Sequence, residues 1–445
     1  MHYLLIMFIL LTLSLAWILY KTFTSPLRKV PGPFLARFTR LWYLRRLQLG
    51  RFHEDNITLH RKYGPIVRIA PKLYSISTPD KAVYGIASKF PKGAWYDAWK
   101  HPSPDRWTLF PDRNIRRHTD TRKRFQAMYS LSSVVHYETY VNECLQLFGD
   151  KLREFAVTGE KIDLAHWFQC YAFDVIGHIT YSKRFGFLDR GDDIGGLMKA
   201  LNKTMVFSTL SGVYPELYPY MYALMEKLPS SGASGRTYIM GFVQERLKAR
   251  NEYREKLVAD TEESNGRGTP KDFLDRLMDA NRDDPTRITP YHIFMMGLSN
   301  IIAGSDTTAA SLTGVFYHLL KNPLCLAKLQ AEIQEADGQQ NRDSDLFTFK
   351  ETQEMPYLQA VIKEALRLHS TVGLPLWREV PAGGATIMGQ YFPAGVDVGL
   401  NAWVAHNDAG IYGNDVDEFR PERWMSPETS GDVLKRMEDF YLPVC

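Results

Sequence analysis

The sequence predicts a mainly α fold with small β-sheets, preceded by one N-terminal transmembrane helix, and three features carry that prediction. An uncharged apolar run opens the chain, helical pattern fills its middle, and two short β-branched segments lie near residues 70 and 390. The 445 residues are 45% hydrophobic and 23% charged, an ordinary globular balance with enough apolar material for a large core. With no internal repeat, low-complexity tract or second shift of composition, a single body is predicted behind the anchor. A net charge of +4 without a block of like charges argues against a nucleic-acid partner. Four cysteines, at 144, 170, 325 and 445, show no paired spacing, so neither a disulfide framework nor a zinc knuckle is predicted. They fit a reducing compartment.

Tyr3 to Tyr20 (YLLIMFILLTLSLAWILY) carries no charge. As a helix it spans about 27 Å, enough for a thin endoplasmic-reticulum bilayer. No basic segment precedes it and no small-residue cleavage site follows, which favours a membrane anchor at 3–20 over a signal peptide. Lys21, Arg28, Lys29, Arg37 and Arg40 come next, so the positive-inside rule predicts a cytosolic body. Residues 21–40 are basic and proline-rich, and Val30-Pro31-Gly32-Pro33 makes them a stiff linker to a body at 41–445. Residues 64–80 predict a hairpin, 383–400 look similar, and 251–271 read as an exposed loop between helices. The longest helix starts at the N-cap Thr289 with Pro290 in its first turn and runs to Lys321, where Asn322-Pro323 stops it. Such a helix spans about 48 Å. Another is predicted from Pro356 to His369.

The middle of the long helix reads IIAGSDTTAAS, where Gly304 leaves the surface bare beside Asp306 and Thr307. Two accounts fit these residues: hydroxyls bonding back to the preceding turn beside a solvated acid, or an acid and an alcohol delivering protons to a bound ligand. Glu364 and Arg367, three apart, share one helix face and can pair, although an ExxR match also arises by chance. If Arg423, in Phe419-Arg420-Pro421-Glu422-Arg423-Trp424, folds back onto Glu364, three charges satisfy one another in the core.

Taken in order, the apolar anchor, PGP, AGSDTT in a long helix, ExxR and the FRPERW turn resemble the microsomal cytochrome P-450 family of haem-thiolate monooxygenases, in a fungal style and over essentially the whole chain. The resemblance implies a cytochrome P-450 fold that holds heme b between the long helix and a C-terminal loop. It implies haem-dependent oxidation or hydroxylation of a lipophilic small molecule in fungal secondary metabolism, with an NADPH-cytochrome reductase as partner at the endoplasmic-reticulum membrane. It also implies that Ala303, Gly304, Asp306 and Thr307 line the oxygen groove, Thr307 meeting dioxygen and Asp306 gating protons. His118-Thr119-Asp120-Thr121-Arg122 resembles the family's tryptophan-x-x-x-arginine segment with histidine in first place, which would aim His118 and Arg122 at a haem propionate. Arg378 resembles another propionate contact, and Glu364, Arg367 and Arg423 resemble a structural charge triad. From the residues alone, His118 is equally a surface histidine and Arg378 an exposed strand arginine. Arg116, Arg117, Arg122, Lys123 and Arg124 form a basic face that is either merely solvated or, by the resemblance, the receiver of an acidic flavoprotein reductase. Residues 92–110, 205–228 and 371–377 are the substrate-facing candidates, and would equally suit ordinary core.

Members of that family carry, shortly after the FRPERW turn, a loop FxxGxRxCxG whose thiolate binds the haem iron. No segment here matches it: Phe440-Tyr441-Leu442-Pro443 stands where the loop would open, and Cys445 lacks a preceding Gly-x-Arg. The expectation is a domain without its C-terminal haem loop and last helix, leaving apolar faces of the long helix and of the Glu364 helix uncovered. Cys445 is a poor ligand, because its own carboxylate disfavours a thiolate; no other metal ligand is assigned. Two alternatives stand beside the monooxygenase: a non-catalytic scaffold on the endoplasmic-reticulum membrane, and a haem-thiolate isomerase or dehydratase. The presence of both Asp306 and Thr307 favours oxygen activation.

Overall fold

The computed structural model describes residues 2–261, 272–338 and 346–443. Helices dominate them, and strands form two small sheets. The larger sheet has the order β1-β2-β6-β3, with β1 Ile66–Ala70, β2 Leu73–Ile76, β3 Leu376–Glu379 and β6 Asp397–Leu400. β1 and β2 form the hairpin predicted at 64–80, with Ile66 opposite Ile76. β6 then runs parallel to β2 and antiparallel to β3, so residues far apart in the chain share one sheet. Within 383–400, β4 Ala385–Ile387 and β5 Gln390–Phe392 make a separate hairpin.

The uncharged run at 3–20 folds as one helix, His2–Thr24. Against the expected transmembrane span, no helix among the described residues is long and apolar enough to cross a membrane.

A second expectation is also corrected. Residues 251–261 are not loop; they complete the helix Gly232–Thr261, while 262–271 lie outside the described residues. Asn251 and Thr261 suggested a break, but Glu, Arg, Lys and Leu between them are good helix formers. Arg250 and Arg254 are also tied across to the helix Phe273–Asp283, through Asp275 at 2.6 Å and Asp279 at 2.7 Å.

The long helix starts at Thr289, whose hydroxyl accepts from His292 N–H while the His292 ring accepts from the Thr289 N–H. It is then divided at Ser305 into Pro290–Gly304 and Asp306–Lys321. The break has a local cause. Ser305 and Thr307 donate to the carbonyls of Ile301 and Ala303 at 2.8 and 2.7 Å, and back-bonding of this kind bends a helix. Gly304 lets the helix Leu164–Tyr181 approach: a Cβ there would stand 2.9 Å from Ile176 Cδ1. Around this crossing lies the largest apolar cluster, including Phe173, Leu277, Met295 and Ile301, all fully buried. Each such side chain contributes about 1.5–3 kcal/mol of burial.

On Asp306–Lys321, Phe316, Tyr317 and Leu320 are exposed. The helix Pro356–Leu368, expected to be uncovered, instead buries Ala360 beside Trp424 and Val361 beside Leu329. Glu364 is fully buried at its centre. Arg367 donates to both its oxygens, at 2.9 and 2.8 Å, Arg423 to Oε1 at 3.2 Å and Trp424 Nε1 to Oε2 at 2.8 Å. Asp415 joins them through Arg423 at 2.8 Å.

Candidate active site

The Ser305 break sets two side chains in different directions. Thr307 Oγ1 donates to the Ala303 carbonyl, so the hydroxyl oxygen is left as an acceptor beside an exposed Ala303. Asp306 turns toward the helix Leu164–Tyr181, where Gln169 Nε2 donates to its Oδ1 at 2.7 Å. Burial raises this carboxyl above the usual carboxylate range, and the Gln169 bond opposes the rise. An acid that holds its proton more tightly than usual, next in sequence to an alcohol, is equipped to pass protons at the break.

A second cluster forms around the helix Ile115–Phe125. Its N-cap Asn114 accepts from Arg117 N–H, and the helix carries His118 and Arg122. Arg378 reaches the same place from β3, over the Tyr84 ring at 5.1 Å, with Nη1 3.3 Å from Tyr96 Oη. Lys92 reaches it from the loop ahead of residues 94–99, and its backbone bridges that of Arg378. Burial and then the charge of Lys92, with Arg122 and Arg378, push His118 down to about 4. Burial and then Arg378, with Arg122, push Lys92 down to about 7. The opposing carboxylate in both cases is Asp112, which is already engaged by Arg117 through two bonds of 2.7 and 2.8 Å.

Positive charge thus converges here without matching negative charge. A planar group with two carboxylates on one edge, such as haem, would balance it, and the residues fit the carboxylate edge of that group. His118, Arg122 and Arg378, singled out in the sequence, are brought together with Lys92, which was not; the clue was a lysine inside the aromatic stretch 92–110. The helix reaches the Ser305 half of the molecule through Phe125, packed edge-on to His292 with ring centroids 5.8 Å apart. Gln169 was missed as well.

The substrate-facing stretches contribute much ordinary core: Tyr96, Tyr218 and Trp377 are among the largest fully buried side chains. Arg236, also unforeseen, is buried where 92–110 meets 205–228. It donates to Ala98 O at 3.0 Å, Ser208 Oγ at 2.7 Å and Tyr218 Oη at 2.8 Å, and to Lys100 O. Among the described cysteines, Cys144 and Cys170 sit in the main core with thiols pushed up to about 12 by burial, and Cys325 borders the Leu329 and Tyr357 cluster. Cys445 lies outside the described residues. The segment leading to it is docked: Leu442 N–H donates to His406 Nε2 at 2.8 Å and Ser370 to Pro443 O at 3.2 Å.

The fold is that of a mainly helical protein with small sheets. The cytochrome P450 family description matches residues 31–443, and the chain belongs to that family of haem-dependent oxidoreductases. It is 37% identical over 425 residues to pisatin demethylase of Fusarium vanettenii, covering 94% of this chain and 80% of that protein. It is 36% identical over 431 residues to a cytochrome P450 monooxygenase of Aspergillus terreus, covering 94% and 84%. With the cytochrome P450 monooxygenase cicH of Emericella nidulans it shares 35% identity over 418 residues, 92% of this chain and 81% of the relative.

Proposed function

We propose that the chain is a heme b monooxygenase that oxidises a lipophilic small molecule, as part of fungal secondary metabolism. The observation that carries this is the convergence of Lys92, His118, Arg122 and Arg378 against a single engaged carboxylate. When bound, haem supplies reductive activation of dioxygen and insertion of one oxygen atom into a substrate C–H bond. The protein's part is distributed. Lys92, His118, Arg122 and Arg378 would hold the carboxylate edge; Ala303 and Gly304 keep the helix surface low; Thr307 would offer its hydroxyl oxygen; Asp306, steadied by Gln169, would hold and release a proton. Glu364, Arg367, Arg423 and Asp415 fix the turn beneath and take no chemical part.

The exposed side of Ile115–Phe125, with Arg116 and Lys123, suits the acidic face of an NADPH-cytochrome reductase. Attachment to the endoplasmic-reticulum membrane is supported by the uncharged 3–20 run and by a nearby apolar surface. Leu217, Tyr220 and Leu224 are exposed on and beside the helix Tyr218–Met225, as are Phe34, Leu35 and Leu41, and Arg40 ties the two groups through Glu216 at 2.8 Å.

Turnover with reductase, NADPH and ¹⁸O₂ tests the reading: one labelled atom in the product supports it. Turnover that ignores NADPH marks an isomerase or dehydratase, and bound haem without turnover marks a scaffold. The carbon-monoxide spectrum of the reduced protein reads the iron ligand independently: a thiolate-type Soret band that is lost in Cys445→Ser would assign Cys445.

A further inference from the structure

A line of buried side chains that the chemistry above does not use runs from the helix Phe52–Tyr63 to the stretch 371–377. Asn56 and His60, four apart on one face of that helix, meet Ser75 on β2, and Asn56 meets Asn401 just after β6. Asn56, Ser75 and Asn401 are fully buried and His60 is 9% exposed. The ends of the line leave its protons one arrangement. Gly64 O only accepts, so His60 donates to it from Nδ1, at 3.0 Å. Burial pushes His60 down to about 4, so the ring is neutral near pH 7 and Nε2 accepts the Ser75 hydroxyl proton at 2.8 Å. Having given its proton there, Ser75 accepts from Asn56 Nδ2 at 3.2 Å. Asn56 Oδ1 in turn accepts from Asn401 Nδ2 at 3.2 Å. That Nδ2 gives its second proton to Gly373 O at 3.1 Å, while Trp403 N–H, which only donates, fixes Asn401 Oδ1 at 3.1 Å. Every bond from Asn401 to Gly64 therefore points the same way. Bonds in such a line polarise one another, and a fully satisfied buried network holds one geometry. The receiving stretch is pinned at its flanks by Trp403 Nε1, which donates to Ser370 O at 2.8 Å, and Tyr84 Oη, which donates to Leu376 O at 2.7 Å. Gly373 stands between those pins, with its carbonyl held by Asn401.

We propose that Asn56, His60, Ser75 and Asn401 are positioning residues: a one-way hydrogen-bond relay that sets the Gly373 carbonyl, and with it the side chains that 371–377 turns toward the substrate. The inference rests on reading 371–377 as substrate-facing. The four residues act through one another, and on the substrate through that stretch alone. A break in the middle of the relay therefore reaches its end. In Ser75→Ala, His60 Nε2 loses its donor and Asn56 Nδ2 its acceptor. The Asn56 amide is then free to turn and set nitrogen against nitrogen at Asn401. A buried donor left facing a donor carries its full desolvation penalty, which draws Asn401 away from Gly373.

The test is nuclear magnetic resonance of the full chain, reduced and saturated with carbon monoxide so that any bound haem is diamagnetic, and labelled with carbonyl-¹³C glycine and ¹⁵N leucine. Gly373–Leu374 is one of the Gly-Leu peptides this isolates, and Gly373→Ala assigns it. Asn401→Ser keeps a helix cap but removes the amide donors, so it marks the resonance of a released Gly373 carbonyl. Ser75→Ala, and His60→Asn, whose amide reaches only the Nδ1 position, should move the Gly373 resonance toward that mark. His60→Gln, whose amide oxygen can stand at Nε2 and accept from Ser75, should keep it near wild type. Titration with 7-ethoxycoumarin, a lipophilic aromatic probe, reads the consequence at the Leu374 amide. Wild type should show a saturable shift, with affinity lowered about fivefold, the worth of one neutral hydrogen bond, in Ser75→Ala and His60→Asn and restored in His60→Gln. An unmoved Gly373 resonance in Ser75→Ala, folded by circular dichroism, overturns the relay; should that variant not fold, the His60 pair decides in the same way. A moved resonance with equal probe affinity in every variant overturns the positioning role and leaves the substrate-facing reading intact. A wild-type Leu374 amide that the probe never shifts overturns that reading and the positioning role together.

Discussion

Asp306 meets an amide where a cation would have ionised it outright. Gln169 stabilises the carboxylate without fixing its charge, which leaves the proton transferable. Replacing Gln169 with Leu removes the lowering influence, so the Asp306 carboxyl should titrate at higher pH than in wild type, as read by its infrared carboxyl band. An unmoved titration would show that Gln169 does not act on Asp306. Glu364 shows the opposite regime. Burial alone would raise its carboxyl, yet Arg367, Arg423 and Trp424 outweigh burial and hold it below 4.5. A depressed carboxylate contributes stability that is full above its ordinary range and is lost as pH falls through its folded value. Glu364→Gln leaves the buried Arg367 guanidinium without its counter-charge, a loss of about 3–5 kcal/mol readable as a lower urea midpoint. Part of this scale was legible in advance: ExxR and FRPERW supply groups that can satisfy one another if the turn folds back onto the helix. Gln169 was not, because it stands 137 residues from its partner and an isolated glutamine carries no signal.

Elements add what residues alone do not determine. The long helix was readable from its cap and its stop, whereas its division at Ser305 depends on Ile176 packing against the gap at Gly304. A leucine at 304 must displace Ile176, and overpacking of this kind costs about 1–3 kcal/mol. Adding Ile176→Ala should recover part of the loss in thermal melts; a strictly additive double variant would disprove the close contact. Arg236 works at the same scale by stitching 98–100 to the helices Leu197–Ser211, Tyr218–Met225 and Gly232–Thr261. Arg236→Met should speed backbone hydrogen exchange at 98–103 while leaving exchange in the Leu164–Tyr181 helix unchanged. The 251–261 segment was misread because its ion pairs come from a helix more than fifteen residues further along the chain, and composition alone looked like loop.

Over the whole molecule, the sheet joins β1 and β2 to β3 and β6 and so carries Arg378 to the loop of Lys92, while Ile115–Phe125 supplies His118 and Arg122. The helical class, the two hairpin regions and three of the four basic residues were legible in the sequence. The fourth was not, since a cluster of like charges exists only after distant segments meet. The proposed haem site therefore depends on that cluster meeting the carboxylate edge of the cofactor. Spectrophotometric titration of the full chain with ferric haem, wild type against Arg122→Gln/Arg378→Gln with matched circular dichroism, tests it most directly. Saturable one-to-one binding that weakens at least about tenfold in the double variant, a loss of about 1.4 kcal/mol, is the predicted result. Binding of equal strength in both proteins, or none in either, would contradict it.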